Sequence, residues 1–387
     1  MNRSRSDSIQ LKNRTRMGGD AATPPHAGAG LRPGAAALVG IGLLAASSAA
    51  LADGITLPPI SIGAGLITSY DHSEPDGGLK KDDFNIDNVR LYISGSATDT
   101  IKYTFNSDYN DGTGQVQVID AIARFEYSDQ VNIWVGRMLA PSDRSNLYGG
   151  YYSNLQHGNY SDGIQDGYSS KAVGRTNGVM YWGQFGPVKL SAGAFDDPTP
   201  VPGKNDLIFA ERALVDFWDP EAGYYLNGTY YGDKNILAIG IAAQERGSNK
   251  DYSADLLVEK KFDGVGVFGF EGEYAKYDHL AGPFYDGNDS ENDGGYGLVS
   301  YLFPMAVGPG KPQLLVKYAK SNGNQDTGAT SGSWKTTDVE LNYIVKEFNL
   351  RAGLFFHKVS YDGDLVGSDG NPLTGIKVFG VSLQVQM

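Results

Sequence analysis

The chain has 387 residues, a formal net charge of −13 and no cysteine. The lack of cysteine excludes disulfides, thiol chemistry and Cys-ligated metal clusters, and an acidic chain lacks the basic face that nucleic-acid binding requires. Its 52 glycines and 24 tyrosines are high counts for a soluble enzyme.

The first 52 residues differ in composition from the rest. They contain no Phe, Trp or Tyr, begin with a basic polar run, continue with an apolar stretch over 35–46 and end in Ala50-Leu51-Ala52. This order is typical of a secretory signal peptide, and the apolar stretch is shorter than the ~20 residues that a membrane span needs. We therefore predict a signal peptide over 1–52 and one mature domain over 53–387; a retained membrane anchor and a start at Met17 are alternatives.

A period of two dominates the mature chain. In the segment 88–94 the odd positions are apolar, and the even positions are polar apart from one tyrosine. The segments 336–343 and 379–385 alternate in a similar way. Such alternation indicates strands with one apolar and one polar face.

Turns and loops divide the mature chain into sixteen predicted strands of about 9–14 residues. Very short turns, such as Gly186-Pro187 and Asp263-Gly264, alternate with long polar loops. The predicted long loops are 71–84, 139–174, 278–294, 322–333 and 362–374. Short turns at one end and long loops at the other are typical of a transmembrane β-barrel of the bacterial outer membrane. We predict an all-β fold, a 16-stranded antiparallel transmembrane barrel that occupies 53–387.

The segment 223–231 is a candidate seventeenth strand because it is rich in tyrosine. Bacterial single-chain barrels have even strand counts, and an extra strand here would move the loop 278–294 to the short-turn end. We therefore predict that 218–234 is a structured connection at the short-turn end, with eighteen strands as the alternative.

A barrel of this size encloses an aqueous lumen, because strand side chains cannot fill it. The third long loop, 139–174, is long enough to need a function, and we predict that it folds into the lumen and narrows the pore. An external cap or a contact between trimer subunits is the alternative for this loop. The candidate constriction residues are Asp143, Arg144, Tyr151, Tyr152, Asp162, Asp166 and Lys171.

Four segments carry a resemblance to a known family. The runs 88–95, 133–141, 218–225 and 231–235 resemble the phosphate-selective porin O/P group of bacterial porins. The resemblance implies a homotrimer in the bacterial outer membrane, in contact with its lipids, with one diffusion pore in each subunit. It does not by itself imply selectivity for phosphate.

Two features depart from that family. Its phosphate pores are lined by a ladder of arginines, whereas alternation assigns a mixed set of seven basic and nine acidic residues to this lumen. The basic wall residues include Arg90, Lys102, Arg124, Lys189 and Arg351. Outer-membrane barrels usually end in an aromatic residue, whereas this chain ends in Met387.

Ion preference depends on the charges at the constriction, where low-dielectric walls focus the field. If Arg90, Arg124 and Arg144 converge, the pore prefers anions despite the acidic chain. If Asp162 and Asp166 line the throat instead, it prefers cations. We expect anion preference, with phosphate as one anion to test.

Other functions have weaker support in the sequence. Four histidines follow the predicted signal peptide, and no two lie within a few residues of each other. No hydrolase or metalloprotease motif is present, so we expect no enzyme activity, no cofactor and no metal centre. The acidic residues between 286 and 293 allow a Ca²⁺ site but are also typical of a solvated loop. We expect passive diffusion of small hydrophilic solutes and ions; the alternative is a surface barrel whose acidic loops mediate adhesion or serve a structural role.

Overall fold

The computed structural model describes residues 59–110, 114–156, 174–198, 207–278, 291–325, 330–365 and 371–387. The predicted signal peptide lies outside these residues. The strands are β1 (Ile60–Pro75), β2 (Lys81–Ser96), β3 (Ile101–Asn110), β4 (Gln115–Ser128), β5 (Val131–Leu139), β6 (Arg175–Phe185), β7 (Val188–Asp196), β8 (Leu207–Asp216), β9 (Ile236–Arg246), β10 (Asn249–Phe262), β11 (Gly266–Asp278), β12 (Glu291–Leu302), β13 (Lys311–Gln325), β14 (Thr330–Lys346), β15 (Leu350–Gly363) and β16 (Ile376–Gln386). A short helix, α1 (Arg144–Tyr148), follows β5. No helix in the described ranges is long and apolar enough to cross a membrane.

Every strand pairs with its neighbours in chain order, and β1 pairs with β16 to close the ring. The closing pair is antiparallel and places Leu66 opposite Val385. Closure removes the free edges that an open sheet would present. The prediction of a closed 16-stranded antiparallel barrel is confirmed, and 223–231 forms no strand.

The alternation of the sequence explains which side chains face outward. In β16, Val381, Leu383 and Val385 are exposed on the outer surface, whereas Ser382 and Gln384 are buried on the inner side. Successive side chains of a strand point to opposite faces. The barrel therefore has an apolar exterior, and its interior is polar over most of the wall.

Two of the predicted loops are wrong in extent. The sheet continues through most of 71–84, so that only 76–80 connect β1 and β2, and only 326–329 connect β13 and β14. The strand tips are polar because they lie beyond the apolar part of the outer surface, yet their backbone groups still pair across the sheet. Polarity alone therefore does not mark the end of a strand.

Buried apolar side chains form a large cluster in the interior at β4–β10, and a smaller cluster that includes Leu298 and Leu315 lies at β11–β13. Inward-facing Trp134, Met180, Trp182 and Leu214 form one buried cluster with further apolar residues of β4–β10. Leu147 of α1 and Tyr224 and Leu226 of the segment between β8 and β9 belong to the same cluster. Segments that are not strands therefore pack inside the barrel against this side of the wall.

Candidate pore constriction

Loop 3, the segment between β5 and β6, begins with the buried helix α1. Asp143 is the N-cap of this helix, and its Oδ1 accepts hydrogen bonds from the Asn146 amide at 2.7 Å and the Ser145 hydroxyl at 2.7 Å. An acceptor at this position satisfies an amide that the start of a helix leaves unpaired. All five helix residues are buried, and the Tyr148 hydroxyl donates to Glu271 Oε1 on the inner wall at 2.9 Å.

The rest of the described part of loop 3 runs along the inner wall to the opposite side. The Tyr151 hydroxyl donates to the Asn88 carbonyl of β2 at 3.3 Å, and Arg351 of β15 donates to the Ser153 carbonyl at 2.8 Å. The Gln156 amide donates to Glu340 of β14 at 2.9 Å. Residues 140–156 therefore contact inward-facing groups on opposite sides of the barrel, whereas 157–173 lie outside the described residues. That the whole loop 139–174 folds into the lumen and narrows the pore stays a prediction.

A second segment also lies inside the barrel. We call residues 217–235, between β8 and β9, the inner connection. The Gly228 amide donates to the Tyr152 carbonyl of loop 3 at 2.8 Å, and the Tyr224 hydroxyl donates to the Leu139 carbonyl at 3.0 Å. Because the inner connection enters from the short-turn end, loop 3 and this segment meet within the lumen.

A buried ion pair joins these two segments. The Arg144 guanidinium binds both carboxylate oxygens of Glu221, with Nη1 and Oε1 2.8 Å apart, and Nη1 also donates to the Asn227 carbonyl at 3.0 Å. Both side chains of the pair are fully buried. Bidentate Arg–carboxylate pairs fix orientation as well as distance. Arg144 therefore attaches α1 to the inner connection in one geometry.

The wall extends this pair into a network. Arg212 of β8 forms two hydrogen bonds to Asp255 of β10, at 2.5 and 2.9 Å, and donates to the Ser142 carbonyl at 3.0 Å. Asp255 also accepts a hydrogen bond from the Arg144 amide at 3.2 Å. The start of loop 3 is thus bound to two wall strands and to the inner connection.

Two carboxyl groups of the network have opposite pKa shifts. Burial raises the pKa of Asp143 to about 7, against the effect of the hydrogen bonds from Asn146 and Ser145. Burial would also raise the pKa of Glu221, but the Arg144 guanidinium outweighs it and holds that pKa below its ordinary value. Glu221 is therefore a stable anion, whereas Asp143 changes charge near neutral pH.

The structure brings together part of the predicted constriction. Asp143 and Arg144 lie in the network just described. The ring of Tyr151 lies 5.1 Å from the Arg90 guanidinium, and the ring of Tyr152 packs on Phe348 at 5.3 Å. The remaining candidates, Asp162, Asp166 and Lys171, lie outside the described residues.

The predicted basic wall residues of β2–β4 face inward, but each has an acidic partner. Arg90 Nε lies 2.6 Å from Asp108 Oδ1. Lys102 and Arg124 share one carboxylate, Glu126, at 2.8 and 3.4 Å. Arg90 and Arg124 therefore lie in ion pairs separate from that of Arg144, and the structure does not gather the three arginines into one group.

The other two basic wall residues, Lys189 and Arg351, hold backbone carbonyls in the lumen. Lys189 Nζ donates to the Glu221 carbonyl at 2.7 Å. Arg351 donates to Ser153 and Asn154 of loop 3, at 2.8 and 3.3 Å, and to Gln384. Both side chains position the internal segments rather than face open solvent.

Sequence reasoning missed Glu221, Arg212 and the apolar clusters of the lumen. Arg212 lies between Ala210 and Leu214 on the inward face, so alternation could have identified it. Glu221 lies in a segment that lacks the two-residue alternation of a strand, and nothing in the sequence links it to Arg144. Within the described ranges, no group of three or more His, Asp or Glu side chains is arranged to hold a metal.

Comparison with known proteins places the fold among bacterial outer-membrane barrels. No family model and no curated protein matches the sequence. OprB of Pseudomonas putida matches 85% of this chain and 94% of its own, with 9% identity and a TM-score of 0.55. A loop L8 deletion mutant of OmpT from Vibrio cholerae covers 85% and 99%, with 12% identity and a TM-score of 0.52. The outer membrane channel DcaP of Acinetobacter baumannii covers 85% and 97%, with 12% identity and a TM-score of 0.50. At such identities the likeness is one of fold.

Proposed function

We propose that this chain is a porin of the bacterial outer membrane, through which small hydrophilic solutes and ions diffuse passively. The observation that carries the proposal is the closed sixteen-stranded ring with apolar side chains outside and charged side chains inside. A closed barrel satisfies every strand backbone group and has no edge, so its apolar exterior is compatible with lipid. Export through the signal peptide predicted over 1–52 is part of the same proposal. Diffusion requires no catalytic group.

Loop 3 and the inner connection set the width of the pore in this proposal. They pack in the lumen against β5–β10, where an apolar cluster adjoins the charged side chains of Arg212 and Asp255, and loop 3 continues across to β2, β14 and β15. Inward-facing groups at the short-turn ends of β3 and β4 are less buried: the side chains of Lys102, Arg124 and Glu126 are 35%, 22% and 16% exposed, whereas Asp108 and Asp120 of the same strands are buried. Solutes therefore pass along this part of the wall.

The charge of that wall supports a preference for anions. Lys102 and Arg124 share the single carboxylate of Glu126, which leaves one positive charge in excess at this position. Fields at a narrow pore follow the local charge, because distant external charges are screened within ~8–10 Å. Phosphate is the anion to test first, because of the resemblance to the phosphate-selective porin O/P group.

We also propose a homotrimer, assembled through the outer surface of β5–β9. These strands have 9–11 residues, whereas β10–β15 have 12–17. The barrel wall is therefore shorter along the barrel axis at β5–β9 than at β10–β15. Arg137 on β5 and the exposed Glu211 at the middle of β8 face outward on this wall, and Asp196 and Glu245 face outward at the long-loop ends of β7 and β9. Small outward-facing residues, Ala192 and Ala243, lie directly opposite Glu211. A charge facing lipid costs about 2–4 kcal/mol for a basic residue and less for an acidic one, whereas a neighbouring subunit can pair Arg137 with Glu211 in a heterologous ring.

Planar-bilayer recording tests the porin proposal. We expect stepwise conductance from the wild type, and a reversal potential in a KCl gradient that favours anions. Arg124→Glu should move the reversal potential toward cations, whereas Lys276→Glu, which makes the same charge change on the outer surface, should not. Absence of stepwise conductance would contradict the porin proposal. A cation-selective wild type that Arg124→Glu leaves unchanged would contradict only the anion preference.

A further inference from the structure

Four lysines form a continuous strip on the outer surface of β13–β16, near the long-loop ends. Lys320 lies directly opposite Lys335, and Lys358 lies directly opposite Lys377. Lys335 and Lys358 are diagonal neighbours, because Lys358 faces Thr337, two residues along β14. Lys320, Lys335 and Lys358 alternate with buried inward-facing residues, and Lys377 lies directly opposite Lys358, so all four ammonium groups extend outward. We call these four residues the lysine strip.

The described carboxylates next to the strip are fewer than its lysines, and each already has a partner. Asp362 of β15 contacts Lys335. Glu74 of β1 lies directly opposite Lys377 but contacts Lys80 and His72. Asp293 of β12 is diagonal to Lys320 and accepts a hydrogen bond from Asn322. Like charges directly opposite each other destabilise a sheet. Two such pairs side by side therefore favour an external anionic partner that spans several lysines.

Aromatic and aliphatic residues lie next to the strip on the same surface. The rings of Phe356 and Phe379 pack at 4.9 Å, one step from Lys358 and Lys377 toward the short-turn end. Tyr318 is next to Lys320 on the outward face and is half exposed. Val316, Leu354 and Val381 are exposed and lie next on the same surface toward the short-turn end. We call these three residues the apolar band. A molecule bound here thus meets cations at one end and apolar surface at the other.

We propose that the lysine strip binds the phosphate groups of an anionic lipid whose acyl chains lie against the apolar band below it. Free phosphate would use the lysines alone, whereas a phosphorylated lipid uses both parts of the surface. The strip also lies far around the ring from β5–β9, the wall assigned above to subunit contacts. The inference rests on the proposed membrane location, and it concerns lipid at the surface rather than solute in the lumen.

Native mass spectrometry of the full barrel in detergent tests this inference, with diphosphorylated lipid A and its dephosphorylated form as probes. We expect the diphosphorylated lipid to bind more tightly. Lys320→Gln with Lys358→Gln should weaken its binding by about 25-fold, since each lysine near an anionic lipid surface contributes about fivefold. The matched control is Lys311→Gln with Lys346→Gln, at the short-turn ends of β13 and β14, and should leave binding unchanged.

The outcomes separate this inference from the porin proposal. Equal affinity for both lipids, or equal effects of the two double variants, would overturn the lysine strip as a lipid site. Loss of binding when inorganic phosphate is added at the lipid's concentration would show that a free ion suffices and would overturn the lipid assignment. Lack of bilayer conductance in a barrel that retains selective lipid binding would contradict the porin proposal and leave the strip supported.

Discussion

Arg144 and Glu221 are 77 residues apart in sequence and form a fully buried, bidentate ion pair inside the barrel. One belongs to loop 3 and the other to the inner connection, so the pair joins segments that enter the lumen from opposite ends. A buried pair of this kind is weak evidence for net stability but strong evidence for a defined geometry, because each charge is costly without the other.

Glu221→Gln should therefore destabilise the barrel interior. Breaking one side of a buried ion pair costs roughly 3–5 kcal/mol, because the remaining charge stays buried. We expect the free energy of unfolding, measured by denaturant titration in detergent, to fall by about that amount. The control Glu291→Gln, at the exposed start of β12, should change it by less than about 1 kcal/mol.

The double variant Arg144→Met with Glu221→Leu should recover most of the loss. Apolar residues of similar volume can replace a buried pair at little cost, and the neighbouring cluster around Leu147 and Leu226 is already apolar. A double variant that is as unstable as Glu221→Gln would contradict the assignment of the loss to an uncompensated charge.

Gly228→Ala should separate the inner connection from loop 3. A Cβ at Gly228 would lie 2.6 Å from the Asn154 backbone nitrogen, so one of the two segments must move. We expect faster proteolytic cleavage within 140–156 in the folded barrel. Gly223→Ala, in the same connection, is the matched control: its positive φ adds local strain, but the new Cβ meets no atom within 4 Å. Equal cleavage of both variants would count against the packing described here.

Asp143 should make the stability of the barrel depend on pH. Its folded-state pKa is about 7, above the ordinary value of 3.8. The folded state therefore binds a proton that the unfolded state has lost, and this contribution to stability falls as pH rises from about 4 to about 7. Asp143→Asn keeps the side-chain oxygen that caps α1 but cannot ionise. The difference in unfolding free energy between variant and wild type should grow in favour of the variant over this pH range; a difference that is constant with pH would refute the assignment.

Glu211→Arg should weaken the trimer. It replaces an acidic residue with a second basic one on the wall that contains Arg137, so that like charges meet across the proposed interface. Combining it with Arg137→Glu restores opposite charges and should restore the trimer, as measured by mass photometry in detergent. A trimer that is insensitive to Glu211→Arg would place the interface on another wall.

The fold could be predicted from the sequence because a barrel wall repeats one local rule. Alternation places Arg90, Lys102, Arg124, Lys189 and Arg351 on one face of their strands, and the structure has all five facing inward. The rule that such barrels have an even number of strands predicted that 218–234 lies at the short-turn end and forms no strand, and the structure agrees. These inferences need only the two-residue period and the closure of the ring.

The contents of the lumen could not be predicted in the same way. The segment 236–243 is apolar at almost every position, and alternation alone cannot show that Ile236 and Ala238 face an apolar interior rather than water. The partner of Arg144 depends on where two non-repetitive segments meet in space. From the sequence we predicted that the charge of Arg144 acts on passing ions. In the structure Arg144 instead positions loop 3 through its contacts with Glu221 and Asn227.

Single-channel conductance of a variant without the inner connection tests the central claim most directly. The Asp219 amide donates to the Asn235 carbonyl at 3.0 Å, so the β8–β9 ladder reaches these residues, and residues 220–234 can be replaced by the two-residue turn Asn-Gly. Water that enters the vacated space can hydrate Arg144 and Lys189. If the barrel is a porin that loop 3 and the inner connection narrow, the wild type conducts in steps and the variant conducts in larger steps in the same salt. Equal steps from both, or none from either folded protein, would contradict the account.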